Sequence, residues 1–301
     1  MFIKAISDYT IIGACVLRED NIAAIFRKNI EAEDLDFSVM YFDGSMFHEL
    51  PLDNDYYIGI VNCGDDVFVL GKSGNITRYS LSSNMTLNDI LSSREDWSIE
   101  DSKDYCDLVR IRVLGADVLC CGQFSQLYLL ESDLWKRYDH GLRSYDSPDF
   151  QDIGGSGVKE IYGVGLDGEV RMFNGINWRK IDIPTNQHIL CIGSYSADEY
   201  FLAGYNGLIL KGRDDLWEVK GEMEDDKRYW DCARHYDRMY FVHSKGIDCL
   251  DGDELEHLDI QIPGEKLTFH RLFSGENYLW SIGEQHILMF DGRAWKEFTM
   301  M

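Results

Sequence analysis

Short apolar runs separated by polar turns repeat along the whole chain. Residues 67–70, 161–164 and 200–203 are three such runs, and a glycine follows each of them. Apolar runs of four or five residues bounded by Gly and Asp have the length of strands rather than of helices. The pattern therefore predicts a chain built from successive β-hairpins.

A second feature, a turn followed by a large apolar residue, recurs at a similar interval. It is clearest at residues 174–180 and 291–297, which read Asn-Gly-Ile-Asn-Trp-Arg-Lys and Asp-Gly-Arg-Ala-Trp-Lys-Glu. Asn-Gly and Asp-Gly suit the positive φ angles of tight hairpins. The apolar anchors of this turn are Phe47, Trp97, Trp135, Trp178, Trp217, Leu255 and Trp295. Their spacing of about 40 residues is typical of a four-stranded propeller blade.

The two patterns together predict an all-β fold, a seven-bladed β-propeller of four-stranded antiparallel blades. We expect a single domain over residues 1–301, with blades ending near residues 50, 99, 138, 182, 220, 260 and 299. A helical solenoid would need apolar positions at a 3.6-residue period over ten or more residues. Only residues 87–93, inside an insertion at 80–96, suggest a helix.

The first blade is the irregular one, because an acidic stretch at residues 31–36 interrupts it. The sequence leaves two ways of closing the ring. The first and last blades could pack against each other, or the N-terminal run could join the edge of a sheet.

The chain is strongly acidic, with 53 Asp and Glu residues against 29 Lys and Arg, a net charge of −24. This balance argues against direct binding of nucleic acids and of anionic membranes, which need basic surfaces. It is compatible with a basic protein partner, whose approach it would accelerate. The alternative is that the acidity serves only solubility.

Membrane insertion and export are not predicted. The chain has no apolar stretch of 18 residues, and its first residues lack the pattern of a secretory signal, so we expect a cytoplasmic protein. Its eight cysteines include no Cys-x-x-Cys pair. We therefore expect free, buried thiols, and neither a metal nor a cofactor.

Candidate binding residues follow from the geometry of a propeller. Strands alternate in direction, so the connections between blades share one face with the loops between the second and third strands of each blade. Here these connections mix carboxylates with aromatic residues, which are enriched in protein interfaces. The candidates are Glu100, Asp101, Asp104, Tyr145, Asp146, Asp149, Phe150, Glu222, Glu224, Asp225 and Asp226. The alternative is that such rings begin the next strand and pack between blades, as expected for Tyr57, Tyr105 and Trp230.

Catalytic motifs are missing from the sequence. It has no Gly-x-Ser-x-Gly elbow, no phosphate-binding loop with a Lys and no His-Glu-x-x-His, and its eight histidines are scattered. We therefore predict a protein that is not an enzyme. A carboxylate pair for glycoside chemistry stays open, because 53 acidic residues bring some pairs together.

Two families resemble this chain. The unit of strand, Gly-x-x-Gly, strand and Asn-Gly-x-x-Trp at residues 162–178 resembles bacterial propellers related to photosystem II assembly and stability factors. That resemblance implies the fold; the export signal and Arg-rich patch of the photosystem role are not found here. An acidic single-domain chain without these features also looks like immunity proteins of contact-dependent or type VI toxin systems. This second resemblance implies a cognate toxin, often a basic nuclease, whose active site is blocked.

The leading hypothesis is thus a protein-binding propeller, monomeric on its own, which neutralises a basic toxin domain. A scaffold or assembly factor in a larger complex is the alternative. A propeller enzyme acting on glycosides or esters comes third.

Overall fold

The computed structural model describes residues 8–18, 21–29, 36–196, 198–221, 226–263 and 266–298. These residues form seven antiparallel sheets of four strands each, and every sheet takes four consecutive strands. The predicted all-β, seven-bladed propeller is confirmed. The acidic stretch predicted to interrupt the first blade lies, apart from Asp36, outside the described residues.

The strands are numbered in chain order, four to a blade. Blades one and two contain β1 Tyr9–Arg18, β2 Asn21–Lys28, β3 Phe37–Phe42, β4 Phe47–Pro51, β5 Tyr57–Cys63, β6 Asp66–Gly71, β7 Asn75–Ser80 and β8 Glu95–Ser98. Blades three and four contain β9 Leu108–Leu114, β10 Asp117–Gly122, β11 Leu127–Glu131, β12 Leu134–Arg137, β13 Phe150–Gly157, β14 Glu160–Gly165, β15 Val170–Phe173 and β16 Trp178–Lys180. Blades five to seven contain β17 Ile189–Ser196, β18 Glu199–Gly204, β19 Ile209–Arg213, β20 Leu216–Val219, β21 Asp231–His235, β22 Arg238–His243, β23 Gly246–Asp251, β24 Glu254–Leu258, β25 Arg271–Ser274, β26 Leu279–Ile282, β27 Ile287–Phe290 and β28 Trp295–Glu297.

The first strand of each blade is the innermost. The first strands of consecutive blades pack against each other, in the order β1, β5, β9, β13, β17, β21 and β25. We call the side of the ring that carries the connections between blades the connection face. The opposite side, which carries the hairpins between first and second and between third and fourth strands, is the hairpin face.

The repeated turn has the same hydrogen bonds in blades one, four and seven. In each turn one side-chain oxygen, of Asp43, Asn174 or Asp291, accepts two backbone N–H groups at 2.9–3.0 Å. The glycine that follows has a φ of 86–91°. Asn and Asp stabilise turns by this bond, and glycine adopts positive φ without steric strain. The turn is therefore a structural device of the hairpin.

The aromatic anchors do not fill the cores between blades. They pack against these cores and stay partly exposed. Trp178 is only partly buried and packs on Phe150 and Phe173 of its own blade, in a core shared with blade three. Trp217 of blade five packs against Tyr162 of blade four, with ring centroids 6.3 Å apart. One edge of each of these rings stays in contact with solvent, so their removal costs less than the loss of a fully buried ring.

Glycine ends the second strand of most blades because another part of the chain lies against it. A Cβ on Gly165 would lie 2.1 Å from the carbonyl oxygen of Asp149, and one on Gly204 would lie 1.9 Å from that of His188. These carbonyls belong to the connections that lead into the innermost strands. The glycines of the sequence pattern therefore allow each connection to pass close to the sheet.

The insertion in blade two forms the predicted helix, α1 Leu87–Ser92. Thr86 and Asp89 form a capping box at its start, and Ile90 is buried against the core between blades one and two. This six-residue helix is the only α-helix among the described residues, far short of the ~20 residues that a membrane span needs.

The cysteines are free, and their burial agrees with the prediction except at two positions. Cys106 is exposed and Cys63 is partly buried, because they lie at a connection and at a strand end. Cys120 and Cys121 are both buried, in the cores on opposite sides of blade three. Adjacent strand residues point to opposite sides of a sheet, as the sequence predicts here.

In the described part of the chain, packing between complete first and last blades closes the ring. β1 pairs with β2 of its own sheet, and β25 to β28 complete the last one. Trp280, Ile282 and Ile287 pack against Ile11 and Phe26 of blade one. One backbone hydrogen bond, from the N–H of Ile11 to the carbonyl of Glu284 at 2.8 Å, also crosses this junction.

Closure by packing makes Trp280 the most important tryptophan for stability. Its ring is 1% exposed, whereas Trp178 is partly buried. We expect Trp280→Ala to lower the free energy of unfolding by about 3–5 kcal/mol and Trp178→Ala by about 2 kcal/mol. Equilibrium unfolding in urea measures both. An equal loss in the two variants would contradict the larger contribution that we assign to Trp280.

Candidate partner-binding surface

The predicted residues of blades two to four come together on the connection face of blade three. The connection from blade two contains a 3₁₀ helix, Glu100–Tyr105, and that from blade three spans residues 138–149. The hydroxyl of buried Ser102 donates to the Ile99 carbonyl at 2.7 Å and holds the 3₁₀ helix in place. Glu100, Asp101 and Asp104 are exposed as a result.

Arg143, which the sequence analysis did not select, joins the two connections. Its buried guanidinium donates to an Asp101 carboxylate oxygen at 2.6 Å and to the Tyr128 hydroxyl at 2.5 Å. Its Nε lies 3.3 Å from the buried carboxylate of Asp139. The guanidinium carbon of Arg143, Cζ, lies 4.4 Å from the centre of the Tyr105 ring. The positive charge of buried Arg143 therefore partly neutralises the exposed carboxylate of Asp101.

Tyr145 is the exposed aromatic residue at the centre of this surface. Its side chain is 66% exposed, and its ring stacks on Tyr105 with centroids 5.0 Å apart. Phe124 contacts it edge-on at 5.7 Å, and the Tyr145 hydroxyl donates to the Asp104 carbonyl at 3.2 Å. We call Tyr105, Phe124, Arg143 and Tyr145 the Tyr145 cluster. A ring held in place but open on one side is the type of residue that dominates binding in protein interfaces.

The carboxylates around the Tyr145 cluster are of two kinds. Glu100 is paired with Lys103 at 2.7 Å, and the Asp149 carboxylate accepts the backbone N–H of Phe124 at 2.9 Å. The side chains of Asp104 and Asp146 are exposed and have no cationic partner among the described residues. These two carboxylates are available to a basic partner without the loss of an internal bond.

Phe150 corrects the sequence prediction. It begins β13, its ring is fully buried, and it packs in the core between blades three and four. A partner on the connection face cannot reach it. The alternative that rings begin the next strand and pack between blades is thus right for Phe150, as it is for fully buried Tyr57.

The third predicted group lies three blades away. Asp226 is exposed in the connection from blade five to blade six, and its carboxylate binds Lys245 at 3.1 Å. Glu222, Glu224 and Asp225 lie outside the described residues. Nothing in the described geometry joins Asp226 to the Tyr145 cluster.

A set of exposed apolar residues that was not predicted from the sequence lies on the hairpin face. They precede the repeated anchors in blades one, three, four and five, and 57–83% of each side chain is exposed: Met46, Leu134, Ile176 and Leu216. The same repeat that reveals the anchors could have revealed them. Met46, Leu134 and Leu216 stand directly before an anchor and so point away from the core, and Ile176 lies in the turn itself. They form a second candidate surface.

One cluster among the described residues has the ligand types of a metal site. Ligand atoms of His243, Asp248 and His257 lie within 4.8 Å of one another. The Asp248 carboxylate already accepts the Tyr229 hydroxyl at 2.5 Å and is paired with the Lys227 ammonium at 3.0 Å. With both histidines also bonded to it, the carboxylate is satisfied without an ion.

The same bonds change the acidity of Asp248. Burial alone would raise the pKa of its carboxyl, but the hydrogen bonds from His243, Tyr229, His257 and Lys227 outweigh burial and hold the pKa well below its ordinary value. Asp248 is therefore charged at any physiological pH, and its ionised form stabilises the fold of blade six.

Comparison with known proteins finds no family model that matches this chain. It does find a curated relative, the "Immune protein Tsi7" of Pseudomonas aeruginosa, 31% identical over 180 residues. The match covers 58% of this chain and 58% of the relative, so the chain spans a little over half of the relative's length.

Solved structures agree with the fold. A structure described as "YCF48 bound to D1 peptide" superposes with a TM-score of 0.69 at 12% identity and covers 94% of this chain and 91% of its own. YCF48 from Cyanidioschyzon merolae gives the same TM-score over 95% and 96%. The WD40 repeats of RRP9 give 0.66 at 11% identity over 91% and 88%. These likenesses show the propeller architecture.

Asp248 provides a test of pH dependence. A carboxyl whose pKa is lowered by folding contributes stability that is fully present above the ordinary value of about 3.9 and is lost as the pH falls through the lowered pKa. We expect Asp248→Asn to cost about 3 kcal/mol in the free energy of unfolding at pH 7. The difference in the free energy of unfolding between this variant and the wild type should narrow below about pH 4.

Urea unfolding at pH 7, 5 and 3.5 measures this gap. Asp251→Asn is the matched control, because Asp251 lies on the same strand but is exposed and pairs only with Arg238 at 2.7 Å. A gap for Asp248→Asn that does not change with pH would contradict the role given to its ionised form.

Proposed function

We propose that this chain is an immunity protein, which binds a toxin used in competition between bacteria and blocks its action. The observation that carries the proposal is the 31% identity over 180 residues to a protein named as an immune protein. The propeller fold supports it, since such folds present broad, rigid surfaces for protein binding. No catalytic activity is needed: occupation of the toxin's active surface is sufficient.

The Tyr145 cluster is the surface that we propose for the toxin. Its stack on Tyr105 and its bond to Asp104 restrict the Tyr145 ring before binding, so little conformational entropy is lost on contact. The unpaired carboxylates of Asp104 and Asp146 lie beside it. An aromatic anchor next to free carboxylates fits a partner with a basic surface around an apolar pocket.

The overall charge fits the same kind of partner. A net charge of −24 attracts a basic domain over a distance set by the ionic strength, about 8 Å at physiological salt. Association should therefore be fast and should slow as salt is added. In this proposal the protein acts as a monomer in the cytoplasm, where the toxin would reach its target.

Co-expression tests the proposal. The product of each neighbouring gene is expressed in a bacterial host, alone and together with this chain. We expect one product to stop growth alone and to lose this effect when the chain is present. Purified, the two proteins should form a 1:1 complex by light scattering. If no neighbouring product is toxic, or if none is neutralised, the proposal is wrong.

The surface is tested separately with the same pair. Tyr145→Ala should raise the dissociation constant about 10- to 100-fold, because it removes the anchor of the interface. Asp146→Lys should lower mainly the association rate and its dependence on salt. Surface plasmon resonance at several NaCl concentrations measures both.

Leu216→Ser is the matched control for these variants, since Leu216 is 83% exposed but lies on the hairpin face. We expect it to bind like the wild type. If it weakens the complex while Tyr145→Ala does not, the immunity function stands but the contact surface is the hairpin face.

A scaffold or assembly factor is the second candidate function, and the exposed apolar residues of the hairpin face favour it. Leu134, Ile176 and Leu216 occur on three successive blades, where an extended partner could contact all of them. Such binding would depend little on salt. It would be lost in Leu216→Ser and kept in Tyr145→Ala.

A further inference from the structure

A cavity of about 340 Å³, open to solvent, lies on the axis of the propeller. The innermost strands of blades one, two, three, six and seven line it. Its volume lies at the lower end of the range for ligand sites, about 300–1,000 Å³. Neither the toxin surface proposed above nor the hairpin-face residues contribute to it, so an inference about this cavity stands apart from the proposed function.

Charged residues gather at one end of the cavity. Arg110, Asp231 and Arg271 lie in the first part of their strands, towards the connection face. Val16 and Val113, at the other ends of their strands, form part of an apolar wall. Charged groups in a narrow cavity that is partly shielded from water act at a reduced dielectric, where each charge has a stronger effect.

The positive charges at this end outnumber the negative ones. Three arginines, Arg110, Arg112 and Arg271, face two aspartates, Asp152 and Asp231. Subtraction gives one uncompensated positive charge inside a protein whose net charge is −24. Because charges held away from bulk water are normally paired, this excess favours the binding of a counter-ion.

Arg112 uses both aspartates. Its Nε and Nη2 donate to the two carboxylate oxygens of Asp152 at 2.8 and 2.5 Å, and Nη2 also donates to Asp231 at 3.0 Å. Both carboxylates are almost fully buried, with 0% and 3% of their side chains exposed. Arg112 is therefore satisfied, and the excess charge lies on the other two arginines.

Arg110 and Arg271 are incompletely partnered. The Arg110 residue is 8% exposed, and its Nε makes no hydrogen bond, although it lies 3.3 Å from an Asp152 oxygen. No carboxylate among the described residues lies within 4.0 Å of the Arg271 guanidinium. Burial and the neighbouring Arg110 lower the pKa of Arg271 to about 10, so it is still charged at pH 7.

We infer that the axial cavity binds a small oxyanion of the phosphate or carboxylate class, held by Arg271 and Arg110. Guanidinium groups present N–H donors in a fork that matches these anions, and such charge-assisted bonds are strong. The ion neutralises the excess charge and fills space on the axis between blades three and seven. It acts as a ligand of the folded ring, not as a catalyst.

The surrounding acidity does not prevent this. Surface charges are screened over about 8 Å at physiological salt, whereas Arg110 and Arg271 line the cavity and act directly on an ion inside it. The site therefore selects small anions that can enter the ring. It excludes polyanions such as nucleic acids, which the acidic surface repels.

Inorganic phosphate is the probe for the test. Calorimetric titration of the full chain at pH 7, with NaCl adjusted to constant ionic strength, should show saturable binding, and the melting temperature should rise with phosphate concentration. Arg271→Gln should weaken binding about tenfold or more, the loss expected for hydrogen bonds to a charged group.

Arg238→Gln is the matched control, because Arg238 is an exposed arginine of blade six that pairs with Asp251 at the surface. It should bind phosphate like the wild type. The inference is overturned if the wild type shows no saturable binding, or if Arg271→Gln binds as tightly as the wild type.

Should Arg271→Gln fail to fold, crystals of the wild type grown in selenate decide the question. The anomalous signal of selenium must then lie within hydrogen-bonding distance of Arg271 and Arg110. A signal found only at the surface, or none at all, overturns the inference. The test is independent of any toxin and so distinguishes this failure from a failure of the proposed function.

Discussion

Hydrophobic packing between neighbouring blades is the interaction on which the rest of this structure depends. A four-stranded sheet cannot cover both of its faces by itself, so each blade is stable only when two others cover it. Seven cores between blades provide this cover, and the last of them, around Trp280, joins the end of the chain to its beginning. Ring closure therefore depends on side-chain packing, and strand exchange does not contribute among the described residues.

The rigid blades place positive and negative side chains in different parts of the molecule. Arg112 and Arg143 are each paired with an aspartate that the fold has removed from water, Asp152 and Asp139 respectively. Carboxylates without partners, such as Asp104 and Asp146, remain at the rim of the connection face. A strongly acidic chain thus has a positive axis and a negative surface. The two ligands that we propose, a small anion and a basic protein, would therefore bind at different places without competition between them.

The repeat made the fold predictable from the sequence. Each copy of the turn is stabilised by its own residues: Asn174, for example, accepts two backbone N–H groups, and Gly175 adopts a positive φ that other residues avoid. These interactions lie within a few residues, so local spacing reveals them. The helix inside the blade-two insertion was visible for the same reason, because Thr86 and Asp89 cap it locally.

The candidate site was only partly predictable. Tyr145 and Phe150 occur in the same loop-like stretch with similar polar neighbours, yet one ring is 66% exposed and the other fully buried. The difference arises because Phe150 begins an innermost strand and enters the core between blades. Arg143 was missed altogether, since its partners Asp101 and Tyr128 come from other parts of the chain.

The sequence by itself determined the number of blades, the hairpin turns and the acidic character of the surface, because these follow from local spacing and composition. Only the tertiary structure decided which rings face solvent, which arginines are satisfied and where the excess positive charge lies. Those properties depend on contacts between residues 40 to 120 positions apart, such as Arg112 with Asp152 and with Asp231. The first of these contacts needs two neighbouring blades to pack, and the second needs the ring that brings blades three and six together.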